Sequence, residues 1–159
     1  MKPFKITSSF DETVQVPFEI DTADGVLTFT IPRMTYLPED AARKMKDALL
    51  ALDKPVAQFN PVTGETYYQL DADGSPKLDE AGEKLPLLGP PQRTVHEKTR
   101  EVAEAMLKVV LPAGVFKKLQ KLTVGELDQI IAHWTEASSQ PINNDPGVES
   151  GESSASSTS

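Results

Sequence analysis

Apolar and polar positions alternate with a period of two from 13 to 20 (TVQVPFEI) and again from 25 to 32 (GVLTFTIP), and both runs are rich in β-branched and aromatic residues. The turn chemistry of DTADG, residues 21–25, joins them into a hairpin over 13–32. In the second strand Leu27, Phe29 and Ile31 share one face and are assigned to the core, while Val26, Thr28 and Thr30 take the other. Pro17 lacks the N–H that a central strand needs, so the first strand is read as an edge or as carrying a bulge.

From Pro38 the period lengthens. Pro38 suits a first helical position, Glu39 and Asp40 favour the positive end of a helix dipole, and Ala41, Ala42, Met45, Ala48, Leu49 and Leu52 form a stripe. This predicts a helix over 38–53, closed by Pro55. Residues 55–91 are read as an exposed insertion holding a weak hairpin, because three turn-rich clusters (NPVTGE, DADGS and DEAGEK) alternate there with short apolar pieces such as Tyr67, Tyr68 and Leu70. A second helix is predicted over 94–111. It opens on the capping-box spacing Thr94 to Glu97 and carries a stripe of Val95, Val102, Met106, Val109 and Val110, with Ala103 and Ala105 beside it. Pro112 stops it. A short apolar face at Val115, Phe116, Leu119 and Leu122 gives a helix over 113–121. Thr123 to Glu126 then repeats the capping box, and Leu127, Ile130, Ile131 and Trp134 at i, i+3, i+4 and i+7 predict a helix over 123–137. The fold class is therefore α+β: an N-terminal β-hairpin, then a mainly helical part of a single domain spanning 1–138. The polar, Ser-rich stretch 139–159 is expected to be a disordered tail, since it offers too little apolar surface to offset its ordering entropy.

Composition changes this picture mainly by exclusion. The chain has 159 residues and no cysteine, which removes disulfides, thiolate metal sites and Cys nucleophiles. No run of about 18 apolar residues occurs and no signal-peptide pattern opens the chain, so a soluble, cytoplasmic protein is expected. A net charge of −8 disfavours nucleic acid as a partner. The charge is also unevenly placed: Arg93, Lys98, Arg100, Lys108, Lys117, Lys118 and Lys121 stand against Glu97, Glu101 and Glu104 in a basic stretch, after which there is no Lys or Arg and Glu126, Asp128, Glu136, Asp145, Glu149 and Glu152 are all acidic. That dipole suits steering towards a charged protein, and equally describes solvated helix faces beside a soluble tail.

The search for chemistry yields no catalytic residue, no metal site and no cofactor. His96 and His133 are far apart in sequence with no acidic residue at zinc-helix spacing, and both read as surface or cap-edge groups. Asp71-Ala72-Asp73-Gly74 is the one calcium-like fragment, but its Gly comes too early for a calcium loop and a turn is favoured. The glycines are isolated at turns, which leaves no phosphate-binding loop. Binding to other proteins is the remaining class. The candidate partner-binding residues are Leu127, Ile130, Ile131 and Trp134, with Val115, Phe116 and Leu119 as a second patch. The same residues also read as core, Trp134 above all.

The stretch LKVVLPAGVFKKLQKLTVGELDQIIAHWTEASS (107–139), followed by GESSASSTS (151–159), resembles the C-terminal part of tail assembly chaperones of long-tailed actinobacteriophages. The likeness is strongest in LTVGELD (122–128) and HWTEAS (133–138), extends weakly to the hairpin and the first helix, and adds little over 60–91. The resemblance implies a non-enzymatic protein of the host cytoplasm, absent from the mature virion. It would coat the tape measure protein, keep it soluble, and leave as the tail tube protein polymerises. It also implies a longer form made by programmed frameshifting, with Gly151 and Glu152 as the candidate slip region of this short form. Partners would then be the tape measure protein, the tail tube protein, the long form and further copies in a homo-oligomer, with no nucleic acid and no membrane. The alternative is a structural neck or tail accessory protein of the virion.

Overall fold

The structure, a computed structural model, describes residues 1–142. Strands β1 (Gln15–Thr22) and β2 (Gly25–Pro32) form an antiparallel hairpin in unbroken register from Gln15↔Pro32 to Thr22↔Gly25. Gly25 closes the turn at φ +119°, a region open to glycine and costly for other residues. Pro17 pairs with Thr30 without a bulge. It is tolerated because each strand of a two-stranded sheet is an edge. Val16, Phe18 and Ile20 stand opposite Ile31, Phe29 and Leu27, and the Phe18 and Phe29 rings stack with centroids 5.1 Å apart. This apolar face packs on the last helix.

Four helices follow: α1 (Glu39–Leu52), α2 (Val95–Val110), α3 (Ala113–Leu119) and α4 (Val124–Ser139). Helix α1 packs on α2, α2 on α4, and α4 on β1, so the core is one layer of helices closed by the hairpin. Its fully enclosed centre is Ile31, Leu107, Leu119, Leu127 and Trp134. The Trp134 indole N–H donates to the Pro32 carbonyl over 2.8 Å, tying α4 to the end of β2.

Some sequence-based boundaries shift. Pro38 is the N-cap of α1 rather than its first residue. Val95 is 84% exposed and not part of the α2 stripe, whose buried members are Ala103 and Leu107. Ala103, Leu107 and the buried Leu111 recur every four residues and set the face that meets α4. Helix α4 continues to Ser139, where the predicted tail was to begin, because Ser138 is engaged: its hydroxyl accepts from the Met34 N–H at 3.1 Å. Residues 143–159, with the predicted tail and the slip residues Gly151 and Glu152, lie outside the described residues.

Both capping boxes form. Glu97 accepts from the Thr94 N–H at 2.7 Å and from its hydroxyl at 3.0 Å, and Glu126 does the same with Thr123 at 2.7 and 2.8 Å. These bonds, the backbone one foremost, hold both carboxyls below their ordinary value of 4.5. Because the folded values are depressed, the stabilisation is complete above the unfolded value and is lost as the pH falls below it. The urea midpoint is therefore expected to decline as pH drops below 4.5, and less steeply in an E97Q/E126Q double variant.

Three arginines close helix C-termini, whose last carbonyls lack intrahelical partners. Arg93 donates to the Leu52 carbonyl at the end of α1 (2.7 Å), Arg100 to the Gln120 and Leu122 carbonyls after α3, and Arg33 to the Gln140 carbonyl after α4. Arg93 and Arg100 were counted in the basic stretch, yet their charge is used internally. Arg93 also pairs with Asp53 (3.1 Å) and Glu101 (2.9 Å), and Arg100 with Glu104 (2.9 Å).

Candidate protein-binding surfaces

Between α1 and α2 the chain leaves the helical layer as an arm. Its root is the two-residue ladder β3 (Val56–Ala57) with β4 (Leu88–Gly89). Beyond it lie four isolated antiparallel bridges: Phe59↔Thr66, Tyr68↔Pro86, Leu70↔Pro76 and Leu78↔Lys84. The backbone bonds between them close two rings. Gln58 N–H donates to the Leu87 carbonyl, Leu87 to Tyr67, and Tyr67 to Gln58, each at 2.8 Å. One step outward Gln69 donates to Leu85 (2.9 Å), Leu85 to Lys77 (2.9 Å) and Lys77 to Gln69 (2.8 Å). Each ring is a three-way junction with one residue at each corner. The first joins the root, the 59–66 hairpin and the 68–86 bridge; the second joins that bridge to the 70–76 and 78–84 hairpins. This corrects the reading of a weak hairpin.

The three turn-rich clusters of the sequence are the tips of these branches, and each is built the same way. The Asp71 carboxylate accepts from Asp73 and Ser75 N–H groups, that of Asp79 from Ala81 and Glu83, and the Asn60 side-chain oxygen from Val62 and Thr63. Gly64, Gly74 and Gly82 supply φ values of +74°, +80° and +83°. The calcium-like fragment at Asp71 is therefore a turn whose carboxylate oxygen is already engaged by backbone. No residue of 55–91 is buried, so hydrogen bonds and not a core hold the arm together. Gln92 fixes it to the body: its amide donates to the Phe59 carbonyl and accepts from the Phe59 N–H.

The candidate residues of α3 and α4 separate on burial. Leu127, Ile130, Trp134 and Leu119 are 1%, 4%, 0% and 0% exposed. They are core and not available to a partner while the protein is folded: α4 turns Leu127, Ile130 and Trp134 onto the hairpin and α2, and Leu119 at the end of α3 packs into the same cluster. Ile131, Val115 and Phe116 are half-buried and reach the surface. Of these, Ile131 belongs to a groove of about 300 Å³ between α2 and α4, which it lines with Val95, Thr99, Val102 and Ala103 between Lys98 and Asp128. Val115 and Phe116 lie outside it on α3. Sequence reasoning placed Val95 in the core stripe and so missed it as the groove's most exposed apolar side chain; its position at the first helical turn, before any packed neighbour, was the available signal.

His96 and His133 are both exposed, and His133 sits edge-on to the Phe18 ring at 5.4 Å. Among the described residues no group of three or more His, Asp or Glu side chains converges as metal ligands would, and no helix is long and apolar enough to cross a membrane. Compared with family models, with curated proteins and with solved structures, the chain finds no match.

Proposed function

We propose that this protein is a phage tail assembly chaperone that binds helices of the tape measure protein and keeps them soluble until the tail tube polymerises. The reading starts from the likeness of 107–139 to that family, and the observation that carries it further is the groove between α2 and α4. Its floor of Val102, Ala103 and Ile131 is apolar and open, and Lys98 and Asp128 flank it with opposite charges. An amphipathic helix meets such a groove with apolar side chains at i, i+3, i+4 and i+7, and Asp128 at its rim favours a basic residue beside them, Lys98 being paired with Asp53 over 3.3 Å. Release on tube assembly requires modest affinity, which a short half-open groove provides better than a deep one.

Co-expression with the tape measure protein of the same genome tests this. The intact chain should be pulled down with the tape measure and raise its soluble fraction. V95E, at an 84% exposed position where the fold has nothing to lose, should abolish both while leaving the urea midpoint unchanged. If the tape measure precipitates regardless and this chain is found in purified virions, the protein is a structural neck or tail accessory component instead.

A further inference from the structure

We infer that the branched arm is a second docking surface, whose apolar sheet face takes a segment of another protein that carries leucine-like side chains flanked by lysine or arginine. In a sheet, paired residues share a face and the next residue along the strand takes the other. The pair Ala57↔Leu88 and the four outer bridges are linked along the chain in steps of two: 57 to 59, 66 to 68 to 70, 76 to 78, and 84 to 86 to 88. Each step passes over one ring corner. All five pairs therefore project to one side of the arm and the six corners to the other. Lys84 agrees with this assignment, since its ammonium lies 5.3 Å from the centroid of the Tyr68 ring although the two belong to different pairs.

The shared face is apolar from the root to the outer hairpins. Phe59, Tyr68, Leu70, Leu78 and Leu88 keep between 39% and 59% of their surface exposed. An apolar patch rimmed by charge marks a protein contact. Charge selects the partner. Six carboxylates, Glu65, Asp71, Asp73, Asp79, Glu80 and Glu83, stand against Lys77 and Lys84, so residues 55–91 carry −4 of the chain's −8. Among the described residues none of the six forms an ion pair. A basic flank on the partner complements them, whereas nucleic acid and anionic lipid have the wrong sign.

The chain itself is a poor occupant. Residues 143–159 contribute Asp145, Glu149 and Glu152 and no Lys or Arg, and two copies at −8 each repel one another. The basic and apolar residues 1–10 leave the face uncovered, with Phe4 and Phe10 90% and 95% exposed. The surface is also separate from the groove between α2 and α4, whose lining residues all belong to those two helices. It stands whether or not the tape measure is the client.

Fluorescence anisotropy of a short labelled peptide of alternating leucine and lysine, titrated with the full chain, tests it. That peptide should bind saturably, and one of alternating leucine and glutamate should not. L70S/L78S, at exposed positions, should weaken binding about 10-fold or more, because each leucine loses the burial that the contact provides. Amide exchange at Gln69, Lys77 and Leu85 should be unchanged in that variant, which shows the arm still folded. D73N/E80Q, whose carboxylates take no part in the turn bonds, should weaken binding about 3-fold at low salt and little at about 0.5 M. V95E should leave it unchanged. No binding, equal binding of the two peptides, binding that either double variant leaves intact, or binding lost in V95E overturns the proposal. So does concentration-dependent association of the chain that L70S/L78S abolishes, which gives the face to a second copy.

Discussion

Trp134→Ala is expected to remove about 3–5 kcal/mol of stability, the usual cost of emptying an aromatic site in a core. The side chain is fully enclosed and its N–H is the bond between α4 and the Pro32 carbonyl, so the variant loses both the packing and the tie that sets the hairpin on the helix. Against a total of about 5–15 kcal/mol for an ordinary domain, such a loss leaves a substantial unfolded population under mild urea. Trp134→Phe separates the two contributions: it keeps most of the volume and leaves the carbonyl short of a donor, for about 1–3 kcal/mol. Urea denaturation followed by far-ultraviolet circular dichroism measures both. A Trp134→Ala protein with an unchanged midpoint would show that the indole is not structural, and α4 would return as a binding face.

The second large effect is at Arg93, whose side chain is 12% exposed and reaches the Leu52 carbonyl, Asp53 and Glu101 together. Arg93→Ala is expected to cost about 1–3 kcal/mol, below the figure for a buried pair because Asp53 and Glu101 keep 63% and 42% of their side-chain exposure. Arg93→Lys should recover little, since an ammonium cannot span a carbonyl and two carboxylates from a planar fork. The loss should also be local. Amide exchange is expected to quicken at Gln58 and Leu87, in the ring nearest the root, and to stay the same at Gln69, Lys77 and Leu85 in the outer ring. Uniform acceleration would mean that the arm has no stability of its own.

What could be read from the sequence follows the range over which the governing physics acts. The hairpin and the four helices were visible because their signals are local: alternation in GVLTFTIP, capping boxes at Thr94 and Thr123, proline at 38 and 112. The core role of Leu127, Ile130 and Trp134 was visible as a stripe, but a stripe does not say what covers it. Only the packing of β1 and α2 on α4 decides between core and interface. Val95 was counted in because at a helix end the stripe continues in sequence after the neighbour has stopped, and Leu107 was passed over because the face that is buried, Ala103, Leu107 and Leu111, is set by the packed neighbours and not by the stripe alone. The arm was the least legible part. Its turns were plain, one by one, but a three-way ring needs three corners from distant positions such as 58, 67 and 87, and no periodicity encodes that. The arginines were misread because charge counts do not distinguish a guanidinium facing solvent from one capping the helix beside it.

The branched arm has a mechanical consequence. Its two ends enter and leave at one place, Val56 beside Gly89, so a force pulling on the helical body bypasses it, and a force on its tips is delivered to the body at a single point. Pro55 on one side and Pro90 and Pro91 on the other restrict rotation at that point, and Gln92 bolts Phe59 to it from the side. The arm is therefore carried on one narrow mount, and whatever touches its tips reaches the body through the joint between α1 and α2.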